Sequence, residues 1–309
     1  MRIAAPATRR ARPDLRAGLL VLLLALGGCG DASDGLTSAR SQLHGAIRVD
    51  GDPSATVVGR SAGEQFVRFH PDARVLVDGT GEDAAVRRAC AGEVDVVVAA
   101  PPAGVAWRGP VRCPDGQRIT WVQVGADALV VIAGPRSPVA CISTARLRAL
   151  ASRPSSARGL VGAIRGSGVQ RRFSEGVGLP SAWAGTEVSE DDGALIDAVA
   201  ASGDGLGYAR FGAVRRARRA GVRAVRVDDG AGCVAPTADA IRRGAYRPFS
   251  RSIVLGWTRD GNRREVVRSF AAFAAARQAT INAGAKTVPL DRTGMRRAVA
   301  GAAASGAAP

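Results

Sequence analysis

The sequence predicts an α/β fold with mainly parallel sheets. Strand-like apolar runs alternate with amphipathic helical runs along most of the chain, and the connections between them are short and built from Gly, Asp and Pro. No second long apolar segment follows the one at the N-terminus. In order, Ala46–Val49 reads as a strand ending at Asp50-Gly51, and residues 61–69 as a helix stopped by His70-Pro71. Residues 74–77 form a strand that runs into Asp78-Gly79-Thr80-Gly81, residues 83–90 a helix, and 93–100 a buried strand broken by Pro101-Pro102. TWVQV (120–124) and ALVVIA (128–133) read as two further strands, followed by a helix at TARLRALAS (144–152). Ser189 with Asp192 three residues on resembles a helix cap, opening a helix through Leu195, Ile196 and Val199. RSIVLGW (251–257) is a strand, and Val266, Val267, Phe270, Phe273 and Ala274 mark an amphipathic helix. The Ala/Gly-rich end reads as a disordered tail over 299–309. In such folds ligands sit at the carboxyl ends of strands, where the turns at 51, 79–81 and 166–168 would converge.

The first 28 residues read as an export signal. Arg2, Arg9, Arg10, Arg12 and Arg16 precede an apolar stretch from Leu19 to Leu26, well short of the about twenty residues a bilayer requires. Gly27-Gly28-Cys29 resembles a bacterial lipobox, which implies cleavage before Cys29 and a lipid on its sulfur. Residues 29–44 are polar and read as a flexible tether.

The 309-residue chain carries 43 Lys and Arg against 27 Asp and Glu. Only Lys286 is a lysine, and aromatic residues make up 4% of the chain, so the stacking platforms of a nucleic-acid binder are absent from the sequence. Beyond Cys29 stand Cys90, Cys113, Cys141 and Cys233. An even number in an exported chain argues for two disulfides, and spacing leaves all three connectivities open. There is no C-x-x-C pair, and His44 and His70 lack ligand-like partners, which argues against a metal. Neither histidine has a triad setting, and Gly166-Ser167-Gly168 is not G-x-S-x-G, so the chain reads as a non-enzyme without cofactor.

Five segments in order resemble the PstS-type phosphate-binding proteins, the receptors of phosphate ABC transporters. They are RACAGEVDVVVAA (88–100), VQVGADALVVIAGPRSPVACISTARLRAL (122–150), VSEDDGALIDAVAASGDGLGYARFGA (188–213), GCVAPTADAIRRGAYRPFSRSIVLGW (232–257) and KTVPL (286–290). The resemblance implies a two-lobe periplasmic-binding-protein-like fold of type II, with a hinge and an interlobe cleft. Lobe 1 would comprise 45–125 and 248–298, and lobe 2 residues 126–247. It also implies the pairings Cys90–Cys113 and Cys141–Cys233. The role implied is an extracytoplasmic solute-binding lipoprotein, a monomer anchored on the outer face of the cell membrane. It would pass phosphate or a related small anion to ABC permease subunits.

Four loops hold the anion in that family, and each can be compared. The first, Gly-Ser-Ser-Thr, is here Gly51-Asp52-Pro53-Ser54; the second, Ser-Gly-Thr-Gly-Gly, contains Thr80-Gly81-Glu82-Asp83. The third, Ala-Ser-Arg, is Ala99-Ala100-Pro101. The fourth, in AIRGSGVQRRF (163–173), keeps Gly166-Ser167-Gly168 at a helix mouth, where backbone N–H groups favour an anion. The candidate ligand residues are therefore Ser54, Thr80, Gly81, Arg165, Ser167 and Gly168; Arg165, Arg171 and Arg172 could compensate for the lost groups from the fourth loop, with the reading as solvated helix-face arginines favoured. Losing three or four charge-assisted bonds at roughly 1.5–3 kcal/mol each removes about 5–10 kcal/mol, comparable to the about 8 kcal/mol of a micromolar complex. The sequence thus predicts weak phosphate binding or none, and supports an alternative role: a ligand-silent interaction or regulatory lipoprotein at the envelope.

Overall fold

The computed structural model describes residues 43–103, 111–152, 160–179 and 184–304. The segment expected to be an export signal, Cys29 as the expected lipidation site, most of the expected tether and residues 305–309 lie outside the described residues.

The chain begins β1 (Gly45–Gly51), α1 (Thr56–Phe69), β2 (Ala73–Val77), α2 (Glu82–Cys90) and β3 (Val96–Ala99). A long β4 (Thr120–Ala133) then leads to β5 (Cys141–Ser143), α3 (Thr144–Ala151), β6 (Leu160–Gly162) and α4 (Gly168–Val177). There follow β7 (Thr186–Glu187), α5 (Asp192–Ser202), β8 (Leu206–Arg210), α6 (Val214–Arg219), β9 (Arg223–Ala224), β10 (Arg226–Asp228) and β11 (Cys233–Val234). The chain closes with α7 (Ala238–Arg242), β12 (Ser250–Trp257), α8 (Arg259–Arg263), α9 (Glu265–Ala276), α10 (Gln278–Ala285) and α11 (Arg292–Ala304).

Among the described residues nine strands share one sheet, ordered β2-β1-β3-β12-β4-β8-β6-β7, with β9 also on β4. Its two arms are parallel, β2-β1-β3 on one side and β8-β6-β7 on the other. Antiparallel pairing of β12 with β3 and β4, and of β4 with β8, joins them. Each arm carries its own core. Val49, Phe66, Val98, Trp257 and Phe270 are buried in the first, and Leu129, Leu160, Phe173, Tyr208 and Tyr246 in the second. Strand β4 serves both: Val122 and Val124 belong to the first core, Ala126 to Ala133 to the second.

Four expectations are corrected. TWVQV and ALVVIA are one strand, because Gly125 and Asp127 stay in the ladder against Ile253 and Arg251. A Cβ at Gly125 would lie 2.2 Å from Asn282 Oδ1, so glycine here admits Asn282, whose Nδ2 donates to Val124 O at 2.8 Å. The cap of α5 is Asp191, which accepts the Ala194 N–H at 2.9 Å, whereas Ser189 accepts from Asp191 one turn earlier. Residues 299–304 are not a disordered tail but the last turns of α11: alanine is the strongest helix former, and Ala298 and Ala302 bury one face. The fourth, the setting of Arg172, belongs to the site below.

Disulfides join Cys90 to Cys113 and Cys141 to Cys233, the two pairs the resemblance implied. The first ties the end of α2 to the segment before β4; the second ties β5 to β11.

Candidate functional site

The carboxyl end of β1 carries Asp50, fully buried. It accepts the Gly51 N–H at 2.8 Å, the Thr80 N–H at 2.9 Å, the Thr80 hydroxyl at 2.6 Å and Arg88 Nη1 at 2.5 Å. Burial alone would raise this carboxyl; the Thr80 and Gly51 donors and Arg88 outweigh it and hold it below the usual range. The Gly81 N–H meets Gly51 O at 3.0 Å, so the first and second loops do converge. The Thr80 hydroxyl, however, is spent on Asp50.

The first loop shows the same substitution. Asp52 Oδ1 accepts both the Ser54 N–H at 2.7 Å and the Ser54 hydroxyl at 2.5 Å. Glu82 and Asp83 open α2 behind Gly81, a cap residue without a side chain, and their charge suits that helix end. Burial, then the charges of Asp52 and Asp83, push the Glu82 carboxyl up against the pull of Ala100 and Arg251. Two carboxylates of the chain thus take donors that an anion would otherwise use.

In the fourth loop Gly166 has φ 82°, the left-handed region open to glycine, and Ser167 caps α4 by accepting the Gln170 N–H at 3.2 Å. The loop is fixed from below: the Ala163 N–H donates to Tyr208 OH at 2.9 Å, and Phe173 stacks on Tyr208 at 4.3 Å. Arg165 turns away to Glu187, with Nε to Oε1 at 3.2 Å. Arg172 is not a solvated helix-face residue. It is 6% exposed and faces Asp127 of β4, Nη1 to Oδ2 at 3.6 Å, because α4 turns this side onto the sheet. Among the described residues Arg172 Nε and Nη2 and Asp127 Oδ1 have no hydrogen-bond partner, although all three are buried. Burial pushes the Asp127 carboxyl up and the Arg172 guanidinium down, each against the attraction of the other.

A second arginine stands at the third loop. Arg251 of β12 donates from Nη1 to Ala100 O at 3.1 Å and pairs through Nη2 with Glu175 of α4 at 2.9 Å. It therefore bridges β3 and α4, the two arms of the sheet. Neither Arg251 nor Asp127 is among the sequence candidates. The signal available was their place on two strands at mirrored positions, a charged pair in otherwise apolar runs.

Beside this bridge lies a cavity of about 420 Å³ lined by Ser54, Asp127, Asp191, Asp192, Arg210, Arg216, Lys286 and Thr287, among others. Of the six candidates Ser54 lines it, while Thr80, Gly81, Arg165, Ser167 and Gly168 do not. Arg210 is held by Asp192, Nε to Oδ2 at 2.7 Å, and Arg216 by Asp197 at 2.9 Å. Lys286 has φ 57° at the end of α10, the one non-glycine residue with positive φ among the described residues. Among those residues no group of three or more His, Cys, Asp and Glu is arranged to hold a metal ion, and no helix is long and apolar enough to cross a membrane.

A cavity set between two parallel arms that share antiparallel central strands is the arrangement the resemblance anticipates. A family model described as PBP superfamily domain matches residues 36–278. The chain belongs to the PBP superfamily. Among its relatives is Protein SphX of Synechococcus elongatus, 24% identical over an alignment of 251 positions that covers 75% of this chain and 74% of SphX. The same fold occurs in a possible phosphate binding protein from Planctomyces limnophilus, with TM-score 0.73, 22% identity, 85% of this chain and 99% of that one. It recurs in an ABC-type phosphate transport receptor from Vibrio cholerae, with TM-score 0.63, 18% identity, 79% of this chain and 100% of that one. This PBP-superfamily chain therefore combines the two-lobe fold with a first and a second loop whose Ser54 and Thr80 donors are engaged by its own carboxylates.

Proposed function

We propose that the chain is an extracytoplasmic solute receptor of the phosphate-transporter type, lipid-anchored at Cys29, that serves an ABC permease with an altered cleft. The two lobes are residues 45–125 with 248–298, and 126–247. The observation that carries this reading is the buried Arg172. Its Nε and Nη2 form one edge of the guanidinium, the edge that grips an oxyanion with two parallel bonds, and neither has a partner among the described residues. A guanidinium left in that state costs stability unless it serves a ligand. The likeness to the SphX protein and to phosphate-binding structures supports the receptor class.

The captured hydroxyls of Ser54 and Thr80 favour poor phosphate binding and give weight to the ligand-silent alternative. Calorimetric titration of the full chain with inorganic phosphate and with other small oxyanion-bearing solutes separates the two. The receptor reading expects saturable binding of at least one solute, with phosphate weaker than millimolar, and small-angle scattering should show compaction on binding. Silence across the whole set would leave the interaction role.

A further inference from the structure

The receptor reading leaves open what the cleft holds, and its charge arrangement narrows the class. We infer that the cleft takes a compact zwitterion, an oxyanion joined by a short linker to a protonated amine, in preference to inorganic phosphate. This rests on the proposal that the chain is a solute receptor. The cavity is lined by three acids, Asp127, Asp191 and Asp192, and three cations, Arg210, Arg216 and Lys286. Asp52 and Glu82 add two carboxylates at the neighbouring loops, and Asp52 already uses the Ser54 donors. A phosphate dianion entering such a site brings two negative charges among five carboxylates and no cation of its own to meet them. An amino-carboxylate brings none, and an aminophosphonate brings less than phosphate because its ammonium offsets one charge.

The groups without partners describe the two ends of this ligand. Arg172 does not itself line the cavity but faces Asp127, which does, and offers an unpaired bidentate edge suited to a carboxylate, phosphonate or phosphate ester. Lys286 offers a charge at the cavity wall, from a backbone conformation that a non-glycine residue adopts at a cost and that is concentrated at functional sites. Asp127, 4% exposed and lining the cavity, keeps Oδ1 unpartnered among the described residues. An anionic acceptor sealed beside a guanidinium calls for a charged N–H donor, and an ammonium group supplies one. The Arg172 and Asp127 atoms are closed to solvent as they stand, so the ligand reaches them when the two lobes part. The cavity volume suits a molecule of several heavy atoms rather than a single ion.

Two matched pairs of probes test the inference on the full chain by calorimetry: 2-aminoethylphosphonate with ethylphosphonate, and β-alanine with propionate, with inorganic phosphate alongside. At least one amine-bearing probe should bind tenfold or more tightly than its amine-free partner and than phosphate. Asp127→Asn should abolish that preference, and Lys286→Met should weaken the amine-bearing probe severalfold while leaving the preference in place. Phosphate, ethylphosphonate or propionate binding as tightly as the zwitterions would overturn the inference and leave the receptor reading standing. Absence of binding by all five probes would overturn the inference, whereas the receptor reading falls only if the wider solute titration is also silent. If Asp127→Asn does not fold, the wild-type pairs alone decide.

Discussion

At Asp50 four donors converge on one buried carboxylate, and Thr80 supplies two of them. Thr80→Val keeps the shape and removes the hydroxyl, so it should cost about 1–3 kcal/mol in urea denaturation at neutral pH. The folded carboxyl lies below its ordinary value of 3.8, so its contribution is complete above that pH and is lost as pH falls through the folded value. Thr80→Val raises the folded value and should therefore move the acid-unfolding midpoint upward. Arg172 and Asp127 behave differently because both are buried. Arg172→Met leaves a lone buried carboxylate and should destabilise by about 3–5 kcal/mol, while adding Asp127→Leu should recover most of that loss. Equal losses in the single and double variants would show that the pair acts through packing instead.

Among the elements, α11 gives the sharpest test. Ala298 is 4% exposed and Val299 40%, one residue apart on the same helix. Ala298→Asp should cost about 2–4 kcal/mol and Val299→Asp less than about 1 kcal/mol, read from thermal unfolding. Similar small effects at both would mean that this helix does not dock. The sequence hid it because the buried face is made of Ala298 and Ala302, while the larger Val299 lies exposed. The β1, β2, β3 and β12 runs were legible because Val, Ile and Leu cluster there between Gly and Pro. The continuity of β4 was not, since Gly125 and Asp127 look like punctuation until Asn282 and Arg251 stand opposite them. The loops at the mouths of α2 and α4 were located from glycine and hydroxyl placement. Who bonds the hydroxyls was out of reach: Asp50 and Thr80 are thirty residues apart, and Arg172 and Asp127 meet only because α4 lies on β4.

For the whole molecule, the disulfides close loops of different length. Their sequence separations are 23 and 92, which in the loop-entropy picture stabilise by about 3 and about 4–5 kcal/mol as upper values. Replacing Cys141 and Cys233 by serine should therefore lower the calorimetric Tm more than replacing Cys90 and Cys113. The reverse order would point to strain or residual structure in the unfolded chain rather than loop closure.

The place of β12 also bears on how the chain is made. Its ladder partners β3 and β4 lie well over a hundred residues earlier. Until residues 250–257 have been synthesised, the centre of the sheet has open edges on both sides, a surface that invites pairing with other chains. Contacts this distant form slowly, since the intervening chain must first be brought into order. The two arms thus stay unjoined at the centre until about four-fifths of the chain is available, although each holds most of its own strands by then.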